Sequence, residues 1–532
     1  MPLSMALNLL TSLPICNFPI EAFPSKGPIH LKVPISRSGI VPVGPVQCMA
    51  NSKISKSTDI VRRSANYQAP IWDYDYIQSL RSEYVGEVYT GKINKLKGQV
   101  RMMLQKVADP LEQLELIDIL QKLGLSYHFE CEMKRMLEVL YNNDHGDEWK
   151  EENLYAIALK FRLLRQHGYR MSEEVFDSFM EEGSFKGYLC DDTKGILSLY
   201  EASFLSLEGE NILEEAREFS KKHLQEFINQ NKDQNLSIIV SHALELPLHW
   251  RISRVEARWF IDVYRSREDM NPILLELAKL DFNMVQATHQ EDIKQVSRWW
   301  RSIGLAEKLS FVRNRLTESF FWTVGCTFHP QFSYSRRIST KVNLLITVID
   351  DIYDVYGTLD ELELFTNAVE SWNINAMDEL PDYMKLCFLA LHNSVNEMAF
   401  DTLKEQGFHI IQYFKKADEL ERGDVPKSIQ CYMNETGARE EDAREYIRYL
   451  INETWKKMNE ERDATSPLSE TFIEIVFNLG RMAQCMYQYG DGHGAGNHET
   501  KDRLTSLFVQ PIPIYKDRHD ELLTYKDADL KF

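Results

Sequence analysis

The sequence lacks the features that mark several common classes of protein. No stretch approaches the roughly 18 apolar residues needed to span a bilayer, so no membrane location is expected. The net charge is −19 and the sequence contains no basic patch, so we expect no nucleic-acid partner. The eight cysteines are scattered and include no Cys-x-x-Cys pair, which indicates buried thiols in a reducing compartment and not a disulfide framework.

The chain also lacks the signals of a β-sheet or a nucleotide-binding loop. No alternating strand run, Gly-x-Gly-x-x-Gly motif or P-loop is present, whereas helical spacing of apolar residues continues after Ile60. One predicted helix has every boundary signal: Asp109 as its cap, Pro110 in its first turn and Gly124 at its end. Its apolar stripe consists of Leu111, Leu114, Ile117, Leu120 and Leu123. The predicted fold class is all-α.

The first 58 residues differ in composition from the rest of the chain. They contain a single acidic residue, Glu21, with frequent serine and proline and no visible periodicity. Their basic residues are Lys26, Lys32, Arg37, Lys53 and Lys56. This composition is typical of an organellar transit peptide, and the absence of Lys or Arg before Lys26 argues against a secretory signal.

A domain boundary is predicted between residues 265 and 275. The polar segment from Arg265 to Pro272 interrupts two apolar helical patterns there. We therefore divide the sequence into a transit segment at 1–58, an N-terminal helical domain at 59–268 and a C-terminal domain at 269–532.

The strongest chemical signal is an acidic cluster that follows an apolar run. Asp350, Asp351 and Asp354 come directly after the mostly apolar residues 342–349. Asp350 and Asp354 are four residues apart and would share one helix face, with Asp351 about 100° round the helix. A solvated acidic surface is the alternative interpretation. Carboxylates at the end of a buried helix need a partner, however, and Mg²⁺ bound to diphosphate oxygens would supply one.

Basic and aromatic residues lie upstream of the acidic cluster. Arg313 and Arg315 belong to a residue type that binds phosphate oxygens through paired hydrogen bonds, and the rings at 320–322 could stabilise a cation. Each feature alone has an ordinary explanation, since two arginines usually lie at a surface and a Phe-Phe-Trp run usually lies in a core. Their position before an acidic helix leaves the two interpretations equally open.

In their order along the chain, these motifs resemble those of plant monoterpene synthases. That family carries a tandem arginine followed, after eight residues, by tryptophan, which corresponds here to Arg62, Arg63 and Trp72. The family also carries an Arg-x-Arg element before an Asp-Asp-x-x-Asp motif, which corresponds to Arg313–Arg315 and Asp350–Asp354.

The resemblance covers the chain from about Val61 to Phe532 and includes the segments 258–260 and 295–300. It implies two α-helical domains, a location in the plastid stroma, a monomer or homodimer, and geranyl diphosphate as the substrate. It also implies Mg²⁺ or Mn²⁺ as the cofactor, with three ions in the family. The tandem arginine implies a cyclising member of the family. The sequence contains no Asp-x-Asp-Asp motif, so protonation-initiated cyclisation is not implied.

The resemblance also assigns roles to individual residues. Asp350, Asp351 and Asp354 would bind metal, and Asp350 and Asp354 would adjoin the diphosphate that Arg313 and Arg315 retain. The residues expected to line or close the site are Arg62, Arg63, Trp72, Trp322, Tyr487 and Asp491. The polar run 490–497 would form a lid, with an ordinary surface loop as the alternative. For the tandem arginine, the alternative is the tail of a disordered arm.

A second metal motif that the family requires, Asn/Asp-Asp-x-x-Ser/Thr-x-x-x-Glu, is missing. The segment from Asn452 to Glu460 has the right length, but Lys456 occupies the Ser/Thr position and would repel a metal ion. Residues 408–417 resemble one family helix and run directly into 418–426, which in the family begins at the end of the missing motif. We therefore expect a deletion of helices near 417/418, with Glu419 as the last remaining ligand.

Two functions of different kinds follow from this sequence. One is a monoterpene synthase that is impaired by the loss of the second motif. The other is an inactive isoform that binds prenyl diphosphate or associates with full-length synthases, since removing core helices exposes apolar faces on their neighbours. A prenyltransferase would need a second Asp-Asp-x-x-Asp motif, which the sequence does not contain.

Overall fold

The computed structural model describes residues 62–63, 67–142, 153–230, 233–407, 428–462, 466, 468–493 and 498–514. Within these residues the chain is helical almost throughout, which confirms the all-α prediction. One two-residue antiparallel pair interrupts the helices, β1 (Met180–Glu181) with β2 (Ser184–Phe185). The predicted transit segment, the junction at 417/418 and Glu419 lie outside the described residues.

The helices before residue 270 pack around apolar faces in the N-terminal half of the chain. They are α1 (Tyr74–Ser79), α2 (Glu87–Lys106), α3 (Pro110–Lys122), α4 (Glu130–Asn142), α5 (Leu154–Gln166), α6 (Thr193–Ser203), α7 (Asn211–Gln230), α8 (Gln234–Glu245) and α9 (Ser253–Arg265). Short 3₁₀ turns connect them at Ser126–His128, Glu173–Phe179, Gly187–Asp191 and Leu248–Trp250.

The later helices surround the acidic cluster. They are α10 (Pro272–Ile303), α11 (Leu305–Lys308), α12 (Leu316–Cys326), α13 (Ser333–Asp351), α14 (Leu359–Ser371), α15 (Asp382–Gln406), α16 (Ser428–Thr436), α17 (Glu440–Glu461), α18 (Glu470–Tyr487) and α19 (His498–Phe508). Between them lie 3₁₀ turns at Pro330–Phe332 and Ile374–Glu379, and a π-helix at Ile352–Tyr356.

Helix α3 forms as its sequence signals predict. The Asp109 carboxylate accepts a hydrogen bond from the Glu112 backbone N–H at 2.9 Å, and Pro110 occupies the first turn. The helix ends at Lys122, and Gly124 follows with a φ of +70°, a left-handed conformation that suits glycine. The middle of the predicted stripe, Leu114, Ile117 and Leu120, is fully buried.

The segment predicted to separate two domains lies between α9 and α10. Helix α9 ends at Arg265, and α10 begins at Pro272 with Asn271 as its cap. The Asn271 side chain accepts a hydrogen bond from the Ile273 backbone N–H at 2.9 Å. Helix α10 then runs for 32 residues and contacts α2, α12, α13 and α19, so it links the two groups of helices. The domain boundary itself stays a prediction.

The cysteines follow the prediction in part. All six in the described residues are free thiols, and Cys326, Cys387 and Cys485 are buried. The prediction of burial is wrong for Cys131, which is exposed on the outer face of α4. Among the described helices, none has the length and apolar character needed to cross a membrane.

Candidate active site

The acidic cluster lies where α13 changes into the π-helix. The buried residues Val342, Leu345 and Val348 anchor the last turns of α13, so the chain reaches Asp350 in a fixed orientation. Asp351 is the last α-helical residue and Asp354 belongs to the π-helix. The α-helical spacing that we assumed from the sequence therefore does not apply to Asp354, because a π-helix is wider than an α-helix.

The three carboxylates have different surroundings. Asp351 is fully buried and faces Arg313, whereas Asp350 is partly buried and Asp354 is exposed. The Arg313 backbone N–H donates to Asp351 Oδ2 at 2.7 Å. The Arg313 Nε lies 2.7 Å from Asp351 Oδ1, an ion pair whose angle falls outside hydrogen-bond geometry. Arg313 Nη2 is 3.9 Å from Asp350 Oδ2, so Asp351 is its main partner.

The electrostatics of Asp350 favour a nearby cation. The pKa of Asp350 is raised to about 7, mainly by burial; the charge of Arg313 opposes this effect, and the charges of Asp354 and Asp351 add to it. A bound cation would relieve this crowding of negative charge. Within the described part of the chain, no group of three or more His, Cys, Asp or Glu side chains has the geometry of a metal site. Mg²⁺ often uses only one or two carboxylates with substrate phosphates and water, and Asp350 and Asp354 fit that pattern.

Arg315 is buried behind the first turn of α12. Its Nη1 donates to the backbone oxygen of Gln68 at 3.1 Å, and its Nε lies 3.8 Å from Glu318 Oε1. Burial raises the pKa of Glu318 to about 7, which weakens the ionic component of that contact. The guanidinium is thus attached to the segment that precedes α1, and its predicted diphosphate-binding role stays a prediction.

The segment that precedes α1 folds against the residues that follow the acidic cluster. Arg62 donates from Nη2 to Glu361 Oε1 at 2.7 Å and from Nη1 to Glu361 Oε2 at 2.9 Å. Its Nη1 also donates to the Tyr356 backbone oxygen at 3.0 Å, and its guanidinium lies over the rings of Tyr356 and Tyr383 at 4.6 and 5.0 Å. Arg63, by contrast, is exposed.

Glu361 was missed by the sequence analysis, although a local signal exists. Thr358 and Glu361 form a capping box at the start of α14, which is the Thr-x-x-Glu pattern. The hydrogen bonds from Arg62 hold the pKa of Glu361 down, at about 2. The carboxylate therefore stabilises the start of α14 and fixes Arg62.

Tyr67 is a second residue that the sequence analysis missed. The Arg313 guanidinium lies 5.0 Å from the centre of the Tyr67 ring. The Tyr67 hydroxyl donates to Asp351, and burial raises its pKa to about 12. Tyr67 lies within the eight-residue spacer between the tandem arginine and Trp72, and that spacer carries no pattern that distinguishes this position. We name residues 62–72, as far as they are described, the N-terminal arm.

Trp72 anchors the end of the N-terminal arm and does not approach the acidic cluster. Its ring contacts Tyr76 at 5.5 Å and Phe508 of α19 at 6.4 Å between centroids. Phe508 also contacts Phe320 of α12 at 5.3 Å. The arm is therefore held at both ends, by Arg62 on α14 and by Trp72 on α19.

Aromatic residues from α12 and α18 meet beside the acidic cluster. The rings of Trp322 and Tyr487 pack edge to face with centroids 6.4 Å apart. Burial raises the pKa of Tyr487, and the charges of Asp491 and Asp350 add to that effect while Arg313 opposes it. Trp322, Tyr487, Asp350 and Arg313 thus belong to one site.

The beginning of the predicted lid lies beside the same arginines. Asp491 is exposed and accepts a hydrogen bond from the His493 backbone N–H at 3.2 Å. Burial lowers the pKa of His493 to about 4, and the positive charge of Arg313 adds to that effect. Residues 494–497 of the predicted lid lie outside the described residues.

Two family models match most of the chain. The model of the terpene synthase N-terminal domain matches residues 71–244. The model of the terpene synthase family metal-binding domain matches two stretches, 301–420 and 415–457. The second model is therefore interrupted between residues 415 and 420.

Known proteins are similar over nearly the whole chain. A chloroplastic myrcene synthase from Quercus ilex is 60% identical and covers 96% of this chain and 100% of its own. A (−)-alpha-terpineol synthase from Vitis vinifera is 55% identical over 85% of this chain and 91% of its own. The alignment with the Quercus ilex protein runs over 598 residues, whereas this chain has 532, so at least 66 residues of that relative have no counterpart here.

Solved structures have the same fold. A limonene synthase with 2-fluorolinalyl diphosphate superposes with a TM-score of 0.81 at 42% identity, covering 85% of this chain and 100% of that one. An isoprene synthase from grey poplar, in complex with three Mg²⁺ ions and dimethylallyl-S-thiolodiphosphate, superposes with a TM-score of 0.76 at 41% identity. It covers 84% of this chain and 100% of its own.

Proposed function

Because this chain belongs to the terpene synthase family, we propose that it is a monoterpene synthase that converts geranyl diphosphate to a monoterpene and releases diphosphate. The observation that carries the proposal is the proximity of Asp350, Arg313 and the Trp322–Tyr487 ring pair to one another. The chloroplastic names of similar proteins and the composition of residues 1–58 support a plastid location.

The acidic cluster would bind the metal. Asp350 and Asp354 would hold Mg²⁺ or Mn²⁺, which polarises the diphosphate and favours C–O ionisation when bound. Asp351 has a different part, because its carboxylate holds the Arg313 backbone and guanidinium in place. We propose that Asp351 positions Arg313 and contributes less to metal binding than Asp350.

The arginines would retain the leaving group. Arg313 has its Nη2 on the Asp350 side of the site, and Arg315 is fixed through Gln68 of the N-terminal arm. Guanidinium groups donate paired hydrogen bonds to phosphate oxygens, so both residues would stabilise the charge that develops on the diphosphate.

The aromatic residues and the N-terminal arm would protect the cation. The faces of Trp322 and Tyr487 attract positive charge, and neither ring offers a strong nucleophile. The N-terminal arm adds Tyr67 beside Arg313 and is held by Arg62 at its other end. A closed arm excludes water, which would otherwise capture the allylic cation before a proton is lost.

A second candidate function is supported by the missing segment. The relative from Quercus ilex has at least 66 residues without a counterpart here, and the metal-binding family model breaks at 415–420. On α15, Leu386, Phe400 and Leu403 are 44%, 65% and 45% exposed. These facts favour an isoform of reduced activity that still binds prenyl diphosphate, with Glu419 as the last ligand of the second motif.

The experiment that tests both functions measures turnover and binding on the same protein. The full chain and the Asp350→Ala variant would be incubated with geranyl diphosphate and Mg²⁺, and extracts analysed by gas chromatography with mass detection. Binding of geranyl diphosphate would be measured by calorimetry with Mg²⁺ and with a chelator.

A monoterpene that forms only with the Asp350 carboxylate present supports the synthase. Metal-dependent binding without product, lost in Asp350→Ala, supports the inactive isoform. A folded protein that neither binds nor turns over geranyl diphosphate contradicts both.

A further inference from the structure

A second cavity lies among the N-terminal helices. It has a volume of about 360 Å³, is partly open to solvent and is lined by residues of α3, α5, α6, α8 and α9, together with the turn at Leu248–Trp250 and the chain after α9. None of the residues that line it belongs to the site around Asp350. Small-molecule sites in proteins begin at about 300 Å³, so this cavity has the size of a ligand site.

Apolar side chains form one part of the wall of this cavity, beside a larger number of polar and charged residues. Leu159 and Phe260 are buried at 2% and 3% exposure, and Ile239 and Ala243 of α8 face them across the space. Trp259 adds an aromatic surface, since its ring stacks on His242 with centroids 3.4 Å apart. The segment 258–260 was singled out in the sequence but has no part in the chemistry at Asp350. Here it supplies two rings of a cavity wall.

The basic side chains that line this cavity already have acidic partners. These ion pairs are Lys122 with Asp118, Arg162 with Asp118, Lys194 with Glu115, Arg251 with Glu256 and Arg267 with Asp269. Arg251 also lies 3.8 Å from Glu245, and none of the ion pairs found among the described residues includes Glu201.

Glu201 is the exception among the buried carboxylates of the wall. Its Oε2 accepts a hydrogen bond from the Leu248 backbone N–H at 2.8 Å, and no ion pair involves it in the described part of the chain. Burial raises the pKa of Glu201 to about 7, while the Leu248 N–H and the positive charges of Arg162, Lys122 and Arg251 oppose that effect. An ionised carboxylate in an apolar cavity is costly unless a donor or a cation accompanies it.

We propose that this cavity, which we call the Glu201 cavity, binds a small apolar molecule with one protonated amine, whose ammonium group donates to Glu201. The cavity has about the volume that twelve molecules of liquid water occupy. A ligand that fits it therefore has roughly ten to twelve non-hydrogen atoms. Leu159, Ile239, Trp259 and Phe260 would surround the hydrocarbon part. A hydroxyl head group would bind more weakly, because a hydrogen bond from a neutral donor to a carboxylate is weaker than one from an ammonium group.

A purely structural role for Glu201 makes a different prediction. If Glu201 only accepts the Leu248 N–H, it stabilises the turn at Leu248–Trp250 and needs no charge. Glu201→Gln keeps an acceptor oxygen at nearly the same size and removes only the charge. The variant therefore separates ligand binding from stabilisation of the turn.

The test is calorimetric titration of the full chain with geranylamine, a ten-carbon primary amine, and with geraniol as the uncharged probe. We expect one molecule of geranylamine per chain, at least 10-fold weaker binding to Glu201→Gln, and no binding to Ala243→Phe, which fills the cavity. Geraniol should bind at least 10-fold more weakly than geranylamine to the unmodified chain. Glu201→Gln should be at least as stable as the unmodified chain in thermal unfolding at neutral pH, because the variant no longer buries a carboxylate charge.

The control variant is Asp350→Asn, because an amine could also enter the other site. Unchanged geranylamine binding to Asp350→Asn supports the Glu201 cavity. Equal affinity for Glu201→Gln and the unmodified chain, loss of binding in Asp350→Asn alone, or no binding at all would overturn the proposal. If Ala243→Phe does not fold, the geranylamine affinity of Glu201→Gln still decides whether the proposal holds.

Discussion

At the scale of single residues, the charge on Asp350 makes the stability of the metal-free protein depend on pH. The folded pKa of Asp350 is about 7, above the usual value of about 3.9 in an unfolded chain. The protonated form is therefore favoured by folding. Its contribution is fully present below pH 4 and is lost as pH rises through 7.

We predict that Asp350→Asn removes this dependence. With a chelator present, the free energy of unfolding of the variant at pH 8 should exceed that of the unmodified chain by about 1–2 kcal/mol, after allowing for the partial exposure of the side chain. The difference should fall to about a third of that value at pH 5, because a carboxyl with an unfolded pKa of about 3.9 is already mostly ionised in the unfolded chain there. Urea unfolding at both pH values measures it, with the exposed Asp360→Asn as a control. Equal stabilisation at pH 5 and pH 8 would show that burial of Asp350 is not the cause.

A second residue-scale prediction concerns the ion pair that holds the N-terminal arm. Glu361→Gln keeps the capping box of α14, which accepts either residue, but removes the charge that binds Arg62. A charge-assisted hydrogen bond is worth about 1.5–3 kcal/mol. Backbone amides of residues 67–72 should therefore exchange with deuterium at least 10-fold faster in the variant.

The matched control for this prediction is Asp360→Asn, the neighbouring exposed carboxylate. It should leave deuterium exchange in the N-terminal arm unchanged, since Asp360 does not bind Arg62. If Glu361→Gln and Asp360→Asn give the same exchange, Arg62 does not hold the arm.

Which residues of the site the sequence could predict depends on how each one is recognised. Arg62, Arg313, Asp350 and Trp322 belong to patterns that are visible along the chain. Tyr67 does not, because its meaning comes from a contact with Asp351 that exists only once the N-terminal arm has folded over α13. Asp351 was recognised in the sequence as part of the acidic cluster, but its burial against Arg313 was not predicted.

At the scale of elements, α3 could be predicted from local sequence signals, whereas the π-helix could not. The limits of α3 depend on Asp109, Pro110 and Gly124, which act within a few residues, so the sequence predicts them. The widening at Ile352–Tyr356 follows no such local signal. π-Helices occur mostly as single turns at functional sites, and packing around the site decides where one forms.

An element-scale prediction concerns the exposed face of α15. Phe400 and Leu403 lie about 60° apart round the helix and form one apolar strip, whereas Leu386 lies about 21 Å away along the axis, beyond the exposed Asn393 and Glu397. Burying one such side chain is worth about 1.5–3 kcal/mol, so the strip should promote self-association. Phe400→Ser with Leu403→Ser should weaken association at least ~10-fold in sedimentation equilibrium.

The control for the α15 variant is Val88→Ser. Val88 on α2 is 81% exposed, more than any member of the strip, but belongs to the other half of the chain. Its replacement should leave association unchanged. A chain that is monomeric at high concentration, or equal effects of the two variants, would mean that the strip has no role in association.

At the scale of the whole molecule, we expect the segment of the Quercus ilex relative that has no counterpart here to matter more for activity than any single described residue. We predict that inserting the corresponding segment of the Quercus ilex relative between residues 417 and 418 raises turnover of geranyl diphosphate. The expected gain is on the order of 10- to 100-fold, the range that follows from perturbed metal ligation. Product formation per mole of folded chain measures it.

The control for the insertion is the same chimera with Asp350→Ala, which should be inactive because the first metal motif is still needed. An insertion that restores no activity in a folded, helical chain would mean that the missing segment is not what limits turnover.

The ion pair between Arg62 and Glu361 also orders events during synthesis of the chain. The two residues are 299 positions apart, so the arginine leaves the ribosome long before its partner exists. At about 5–20 residues per second, the interval is roughly 15–60 s. The first described residue of the chain is therefore among the last to reach its place. A nascent chain that stops before α14 is complete has an open site, whatever else has folded by then.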